Sequence, residues 1–129
     1  MRKRMMTSKI HRVTVTEANL HYVGSITLDR ELMDAAGLVE YEQVAVVDID
    51  NGARLETYVI EGPRGTGQVC INGAAARLIS SGDTVIILAY CDVELHELET
   101  FHPTVVHVDR RNAVISEDEA AALRDIRPL

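Results

Sequence analysis

Basic charge is scarce in this chain. Its 129 residues carry 13 Lys and Arg against 20 Asp and Glu, a net charge of −7 at pH 7. No basic stripe is available to follow a phosphate backbone, which excludes nucleic acid as a partner. The one basic cluster, Arg2-Lys3-Arg4, runs almost at once into Thr7, Ser8 and Lys9. A secretory leader would continue into an apolar core there, so the reading is against secretion. Long apolar runs are also missing: the longest, Val85-Ile86-Ile87-Leu88-Ala89-Tyr90, is far too short to span a bilayer, so no membrane is implied. Cysteine is rare, and Cys70 and Cys91 form neither C-x-x-C nor a ligand spacing. They read as small buried hydrophobes of a cytoplasmic, reducing compartment. No repeat, linker or low-complexity segment divides the chain, so residues 1–129 read as one domain.

What is present is a series of short strand signals. From Lys9 to Glu17 the residues alternate, with Ile10, Arg12, Thr14 and Thr16 on one face and His11, Val13 and Val15 on the other. Lys9 and His11 share a face at its start. Gln43 to Asp50 and Ala53 to Glu61 are β-rich on either side of Asn51-Gly52, which predicts a type I′ hairpin. On the second of these, Arg54, Glu56 and Tyr58 project together, which places a cation and a phenol within reach of one ligand. Val69–Ile71, Asp83–Tyr90 and Thr104–Val108 complete the strands. Asp29 and Gly37 bound a helix through Leu32, Met33 and Ala36. A second short helix is expected from Ala74 through Ile79, and a capping box at Ser116-Glu117-Asp118-Glu119 opens a third. Short strands with close turns imply a barrel rather than an open parallel sheet.

Two local motifs are set aside. Gly62-Pro63-Arg64-Gly65-Thr66-Gly67 starts like a dinucleotide fingerprint, but Cys70 stands where the third glycine belongs and no helix follows. His96, His102 and His107 are six and five residues apart, which fits no helical i, i+4 pair, and His102 and His107 would face opposite ways on one strand. No metal is expected.

The segment His21-Tyr22-Val23-Gly24-Ser25 is a different matter. Glycine permits an unusual backbone directly before a hydroxyl nucleophile, which is what an internal attack on the preceding carbonyl needs. Lys9-x-His11, Leu20-His21-Tyr22-x-Gly24-Ser25, Asn51-Gly52-x-Arg54-x-x-Thr57-Tyr58 and Asn72-Gly73-Ala74-Ala75-Ala76 together resemble the pyruvoyl-dependent aspartate 1-decarboxylase family, over about residues 5 to 108. Some members of that family have glutamate at the place of Val23 and cysteine at that of Ile26. These departures bear on the rate of processing.

The resemblance implies a double-psi β-barrel with small peripheral helices and self-cleavage between Gly24 and Ser25 into chains 1–24 and 25–129. It also implies a pyruvoyl cofactor made from Ser25, and a cytoplasmic homotetramer with active sites between subunits. The activity implied is decarboxylation of L-aspartate to β-alanine for pantothenate and coenzyme A synthesis. Such chemistry leaves a carbanion that no ordinary side chain can accept, whereas an α-keto amide can. Arg54 suits a bidentate grip on a substrate carboxylate, and Lys9 offers a second positive charge. By resemblance Tyr58 is the proton donor. Thr57 and the Gly73-Ala74-Ala75 backbone contact substrate, with His11, Tyr22 and Asn72 in support. Thr57 and Tyr58 point oppositely on a flat strand, so a twist, a bulge or a subunit boundary is needed to bring them together. The tail 109–129 matches no motif and reads as peripheral. Two other readings are a serine hydrolase, with Ser25 as nucleophile and His21 or His11 as base, and a non-catalytic binding barrel. The first lacks a G-x-S-x-G elbow and a placed acid.

Overall fold

The computed structural model describes residues 1–22 and 24–126. Val23, one of the two departures from the family pattern, lies outside the described residues, as do residues 127–129 of the expected tail. Nine strands follow in chain order: β1 (Arg2–Thr14), β2 (Glu17–Asn19), β3 (Ser25–Asp29), β4 (Gln43–Asp48), β5 (Arg54–Gly62), β6 (Val69–Asn72), β7 (Thr84–Glu94), β8 (Thr104–Val108) and β9 (Val114–Ile115). Helix α1 (Arg30–Ala36) lies between β3 and β4, and α2 (Glu117–Ile126) follows β9. The expected second helix is a short 3-10 turn, Gly73–Arg77.

Strand order forces closure. The strands bond in the sequence β2-β6-β3-β5-β4-β7-β1-β8-β9, so β2 and β1 stand first and seventh. Six places in a flat sheet would separate them by roughly 29 Å. Only Val15 and Thr16 join them, a link that reaches about 11 Å. The sheet therefore curls until the Thr16 N–H donates to the Val69 carbonyl of β6 at 2.8 Å. The result is the mainly β barrel with small peripheral helices that the strand spacing implied. Pairs β1·β8, β2·β6 and β3·β5 are parallel and the others antiparallel. Its core takes Ile10, Val13, Ile26, Leu28, Val46, Val59, Ile71 and Ile87, each at most 1% exposed. Burying each such side chain stabilises the fold by about 1.5–3 kcal/mol.

Two local expectations are corrected. In β1, Ile10 and Val13 both point into the core although simple alternation put them on opposite faces. The register against β7 slips between them, and Arg12 takes a φ of 64°, so a bulge resets the alternation. The β4–β5 turn is not type I′. Gly52 has φ 75°, but Asn51 is not in the left-handed region. The Asp48 N–H donates to the Ala53 carbonyl at 2.8 Å, which closes a five-residue turn, 49–53. Asn51 acts through its side chain: Oδ1 accepts from the Ala53 N–H at 2.8 Å, and Nδ2 donates to the Leu78 carbonyl at 2.7 Å.

The glycine-rich loop after β5 holds a carboxylate of its own chain. Asp29 Oδ1 accepts from the Glu31 N–H at 2.8 Å, the N-cap of α1, and from the Gly65 N–H at 2.9 Å; Oδ2 accepts from the Gly67 N–H at 2.8 Å. Burial pushes the Asp29 pKa up. The three N–H donors and the nearby Arg64 charge outweigh that, and the net shift is down. Gly37, φ 71°, ends α1 as expected. Ser116 and Glu119 form the reciprocal capping pair at α2. Between them, buried Asn112 stitches three strand ends: its Oδ1 accepts from the Thr14 N–H, and Nδ2 donates to the carbonyls of Thr14 and Gly67.

Candidate active site

β3 begins at Ser25 and runs antiparallel to β6, with Ser25 opposite Asn72. Directly opposed residues bring their Cβ atoms to about 5 Å. The Asn72 amide accordingly sits over the serine, and Nδ2 donates to Ser25 Oγ and to Thr27 Oγ1, both at 3.0 Å. Its Oδ1 accepts from Cys70 Sγ at 3.2 Å. Ser25 and Asn72 are 2% and 3% exposed. Burial raises the Cys70 pKa, and the nearby Glu17 charge adds to the effect, so the thiol stays a neutral donor.

The next residue clamps the other side of the same peptide. Gly73 has φ 69°, and a Cβ there would lie 2.7 Å from Gly24 Cα, 2.8 Å from Gly24 N and 3.0 Å from the Tyr22 carbonyl oxygen. Real Cβ atoms do not approach so closely, so a bare Cα is required. Gly24 itself carries no such constraint. A Cβ on it would meet nothing within 4 Å beyond its chain neighbours. A strict demand for a bare Cα therefore falls on Gly73.

Gly24 opens onto a depression of about 430 Å³ whose wall includes Thr57, Tyr58, Asn72, Ala74 and Ala75. Four consecutive residues of β5, Leu55 to Tyr58, contribute to it. The cavity therefore runs along that strand rather than over one face, and Thr57 and Tyr58 share it despite their alternation. Arg54 does not. It lines a separate depression of about 320 Å³ with Arg4, Gln43 and Tyr90, and its Nη2 donates to the Tyr90 hydroxyl at 3.4 Å. The expected pairing of Arg54 and Tyr58 at one ligand is not made within a single chain. Lys9 pairs with Leu88 of β7 and Val105 of β8, and His11 with His107, their rings edge to face at 6.0 Å. Tyr22 is exposed, as is His21, whose backbone N–H bonds to Asn19. Among the described residues, the single chain brings together Gly24, Ser25, Thr57, Tyr58, Asn72, Gly73, Ala74 and Ala75, but not Lys9, His11 or Arg54.

Thr27 and Cys70 were missed by sequence reasoning. Strand alternation carried the signal: Ser25 and Thr27 share a face of β3, and Cys70 and Asn72 share a face of β6. The four polar side chains meet as one set.

A serine held by an amide, beside a glycine peptide pinned by a second glycine, is a specific arrangement. The family model for aspartate decarboxylase matches residues 1–115 of the sequence. The chain belongs to the aspartate decarboxylase family. The matched stretch extends beyond the motifs to include Asn112 and β9. The aspartate 1-decarboxylase of Caldicellulosiruptor saccharolyticus is 60% identical over 111 residues, 86% of this chain and 87% of that one. Those of Clostridium botulinum strain 657 and Clostridium kluyveri strain ATCC 8527 are 58% and 55% identical, over 85% and 88% of this chain and 87% and 90% of theirs. Among solved structures, the rationally designed protein mkDPBB_sym_86 aligns with a TM-score of 0.46 and 21% identity, over 60% of this chain and 90% of its own. That likeness is too slight to bear weight, and the barrel rests on the closure described above. No helix among the described residues is long and apolar enough to cross a membrane.

Proposed function

We propose that the chain cuts itself between Gly24 and Ser25 and then decarboxylates L-aspartate to β-alanine and CO2. The observation that carries the reading is the Asn72 amide at 3.0 Å from Ser25 Oγ, beside a peptide held by Gly73 at the edge of an open cavity. The hydroxyl attacks the Gly24 carbonyl carbon, the C–N bond breaks, and an ester to Gly24 replaces the amide. Elimination frees the Gly24 carboxylate and leaves dehydroalanine at position 25. Water then replaces the nitrogen, which leaves as ammonia, and position 25 becomes a pyruvoyl group. Thr57 lines the same cavity as Gly24, which supports a role for its hydroxyl in steadying the oxyanion of the attack.

The residues present fit that group. Ser25 is buried at the head of β3, and the Asn72 amide bonds both its Oγ and Thr27 Oγ1. A pyruvoyl carbonyl supplies the electron sink that decarboxylation requires. The Tyr58 hydroxyl can deliver a proton from the cavity wall, and the Ala74-Ala75 backbone leaves room for a small substrate. Arg54 and Lys9 are the cations suited to its carboxylates, and both lie away from this cavity in one chain. A site that gathers them needs a second copy, which supports a homotetramer with active sites between subunits. We assign the barrel the double-psi topology, in keeping with its parallel pairs β2·β6 and β3·β5. The enzyme is placed in the cytoplasm, supplying β-alanine for pantothenate and coenzyme A synthesis.

Intact-mass analysis of purified protein tests the reading. Fragments 1–24 and 25–129 are expected, the larger without a free amino group, and aspartate should then yield β-alanine. Ser25→Ala should remain whole and inactive while melting as a folded barrel. A wild-type chain that stays uncut yet turns over aspartate would sink the proposal.

A further inference from the structure

Away from the cavity, the far end of β4 carries a cluster that the decarboxylase chemistry does not use. Asp48, Asp50 and Asp83 each place one carboxylate oxygen within 4.8 Å of the others. Asp48 ends β4 and is fully buried; Asp50 lies in the 49–53 turn, and Asp83 immediately precedes β7. Backbone donors hold one oxygen of each. Asp48 Oδ1 accepts from the Asp50 N–H at 2.8 Å, Asp50 Oδ2 from the Thr84 N–H at 2.8 Å, and Asp83 Oδ2 from the Ser80 N–H at 3.0 Å. Those bonds fix three carboxylates around one point on three successive pieces of backbone.

The remaining oxygen of Asp48 is the decisive atom. Asp48 Oδ2 is buried with no hydrogen-bond donor. Its polar neighbour is the Asp83 carboxyl, another acceptor. Among the described residues, none of the ion pairs formed by Arg2, Arg4, Arg30 or Arg64 reaches any of the three. Buried charge is costly unless it is paired or coordinated.

We propose that Asp48, Asp50 and Asp83 form a binding site for a hard divalent cation, Ca²⁺ in preference to Mg²⁺. The donor set is oxygen alone, with no imidazole or thiolate, which selects hard ions over zinc or copper. Between the two, carboxylates on a turn and a strand end suit the variable geometry of Ca²⁺ better than Mg²⁺, which demands near-ideal octahedral coordination and gives up its waters reluctantly. Three protein carboxylates with no closed cage suit a dissociation constant on the order of 10⁻⁴–10⁻³ M. The ion ties the β4–β5 turn to the segment before β7. Arg54 begins β5 one residue beyond that turn, and Asn51 within it already holds the Leu78 carbonyl at the cavity wall. The site is thus a staple for the strand that carries Arg54, Thr57 and Tyr58.

Calcium titration of the full-length protein at constant ionic strength tests this, with direct binding read by calorimetry and stability by thermal melting. One Ca²⁺ per chain is expected, with a rise in Tm of about 5 °C at 10 mM, a smaller rise with MgCl2, and reversal by EDTA. Asp50→Asn, an exposed position, should weaken binding at least tenfold while the unliganded melt stays close to wild type. Asp48→Asn and Asp83→Asn should abolish the calcium response. Equal shifts from NaCl and CaCl2, or an unchanged calcium isotherm in Asp50→Asn, would overturn the proposal. So would a melting point that rises on acidification and ignores calcium, since a proton would then bridge Asp48 and Asp83.

Discussion

Replacing Gly73 with alanine adds one methyl group and should disable self-cleavage. The φ of 69° is left-handed, which costs a residue with a Cβ about 1–2 kcal/mol. The new Cβ would also stand 2.7 Å and 2.8 Å from backbone atoms of Gly24, where carbon contacts relax to about 3.5 Å or more. Relief of the contact displaces the Gly24-Ser25 peptide by about 0.8 Å, and a misplacement near 1 Å costs roughly 10²-fold in rate. Overpacking adds about 1–3 kcal/mol, for a total loss of roughly 2–5 kcal/mol. The assay is a time course of intact mass beside a thermal melt. The expected result is a folded protein with a lowered Tm that cuts about a hundredfold more slowly than wild type. Gly24→Ala is the control, because its Cβ meets nothing within 4 Å; the precursor melt should barely move. A Gly73→Ala protein with wild-type stability and wild-type cutting would refute the clamp.

The Asn112→Gly variant keeps the φ of 64° without strain and removes only the side chain that bonds Thr14 and Gly67. With one buried and two part-buried backbone groups left unpaired, the loss should be roughly 2–3 kcal/mol, a fall in Tm of several degrees in a melting experiment. Asp29→Asn probes pH dependence. The folded pKa of Asp29 is lowered, so its charge stabilises the fold above the unfolded value of about 3.9 and that contribution disappears as pH falls through the folded value. The gap in Tm between wild type and Asp29→Asn should be widest above about pH 4.5 and shrink in more acid buffer; a gap independent of pH would be contrary evidence.

Much of this was legible in the sequence, and the exceptions have physical causes. The strands, the Asp29 cap, the Gly37 stop and the Ser116–Glu119 box are local, and local chemistry reveals them. The Arg12 bulge was hidden because a single left-handed residue resets which side chains face the core, and nothing in Arg12 itself advertises it. Asn51-Gly52 read as a tight hairpin, yet Asn51 is drawn away by the Leu78 carbonyl, a partner 27 positions distant. At the site, motif resemblance located Ser25 and Asn72, but their contact arises from β3–β6 register. The separation of Arg54 from Tyr58 has the same kind of origin. Both sit on β5 four residues apart, yet they line different depressions of the closed sheet.

The position of β1 in the sheet gives the proposed cleavage a kinetic consequence. β1 lies between β7 and β8, and β2 rests on β6, so all of these strands hold the first 24 residues by hydrogen bonds. If the 24–25 bond is cut as proposed, those contacts alone keep the short fragment in place. Before the cut, unfolding and refolding are events within one molecule. Afterwards they become dissociation and reassociation of two, with no tether to supply a high effective concentration. Refolding of the cut protein would then be second order and sensitive to dilution, so the proposed cleavage would change the kinetic order of recovery as well as the chemistry of residue 25.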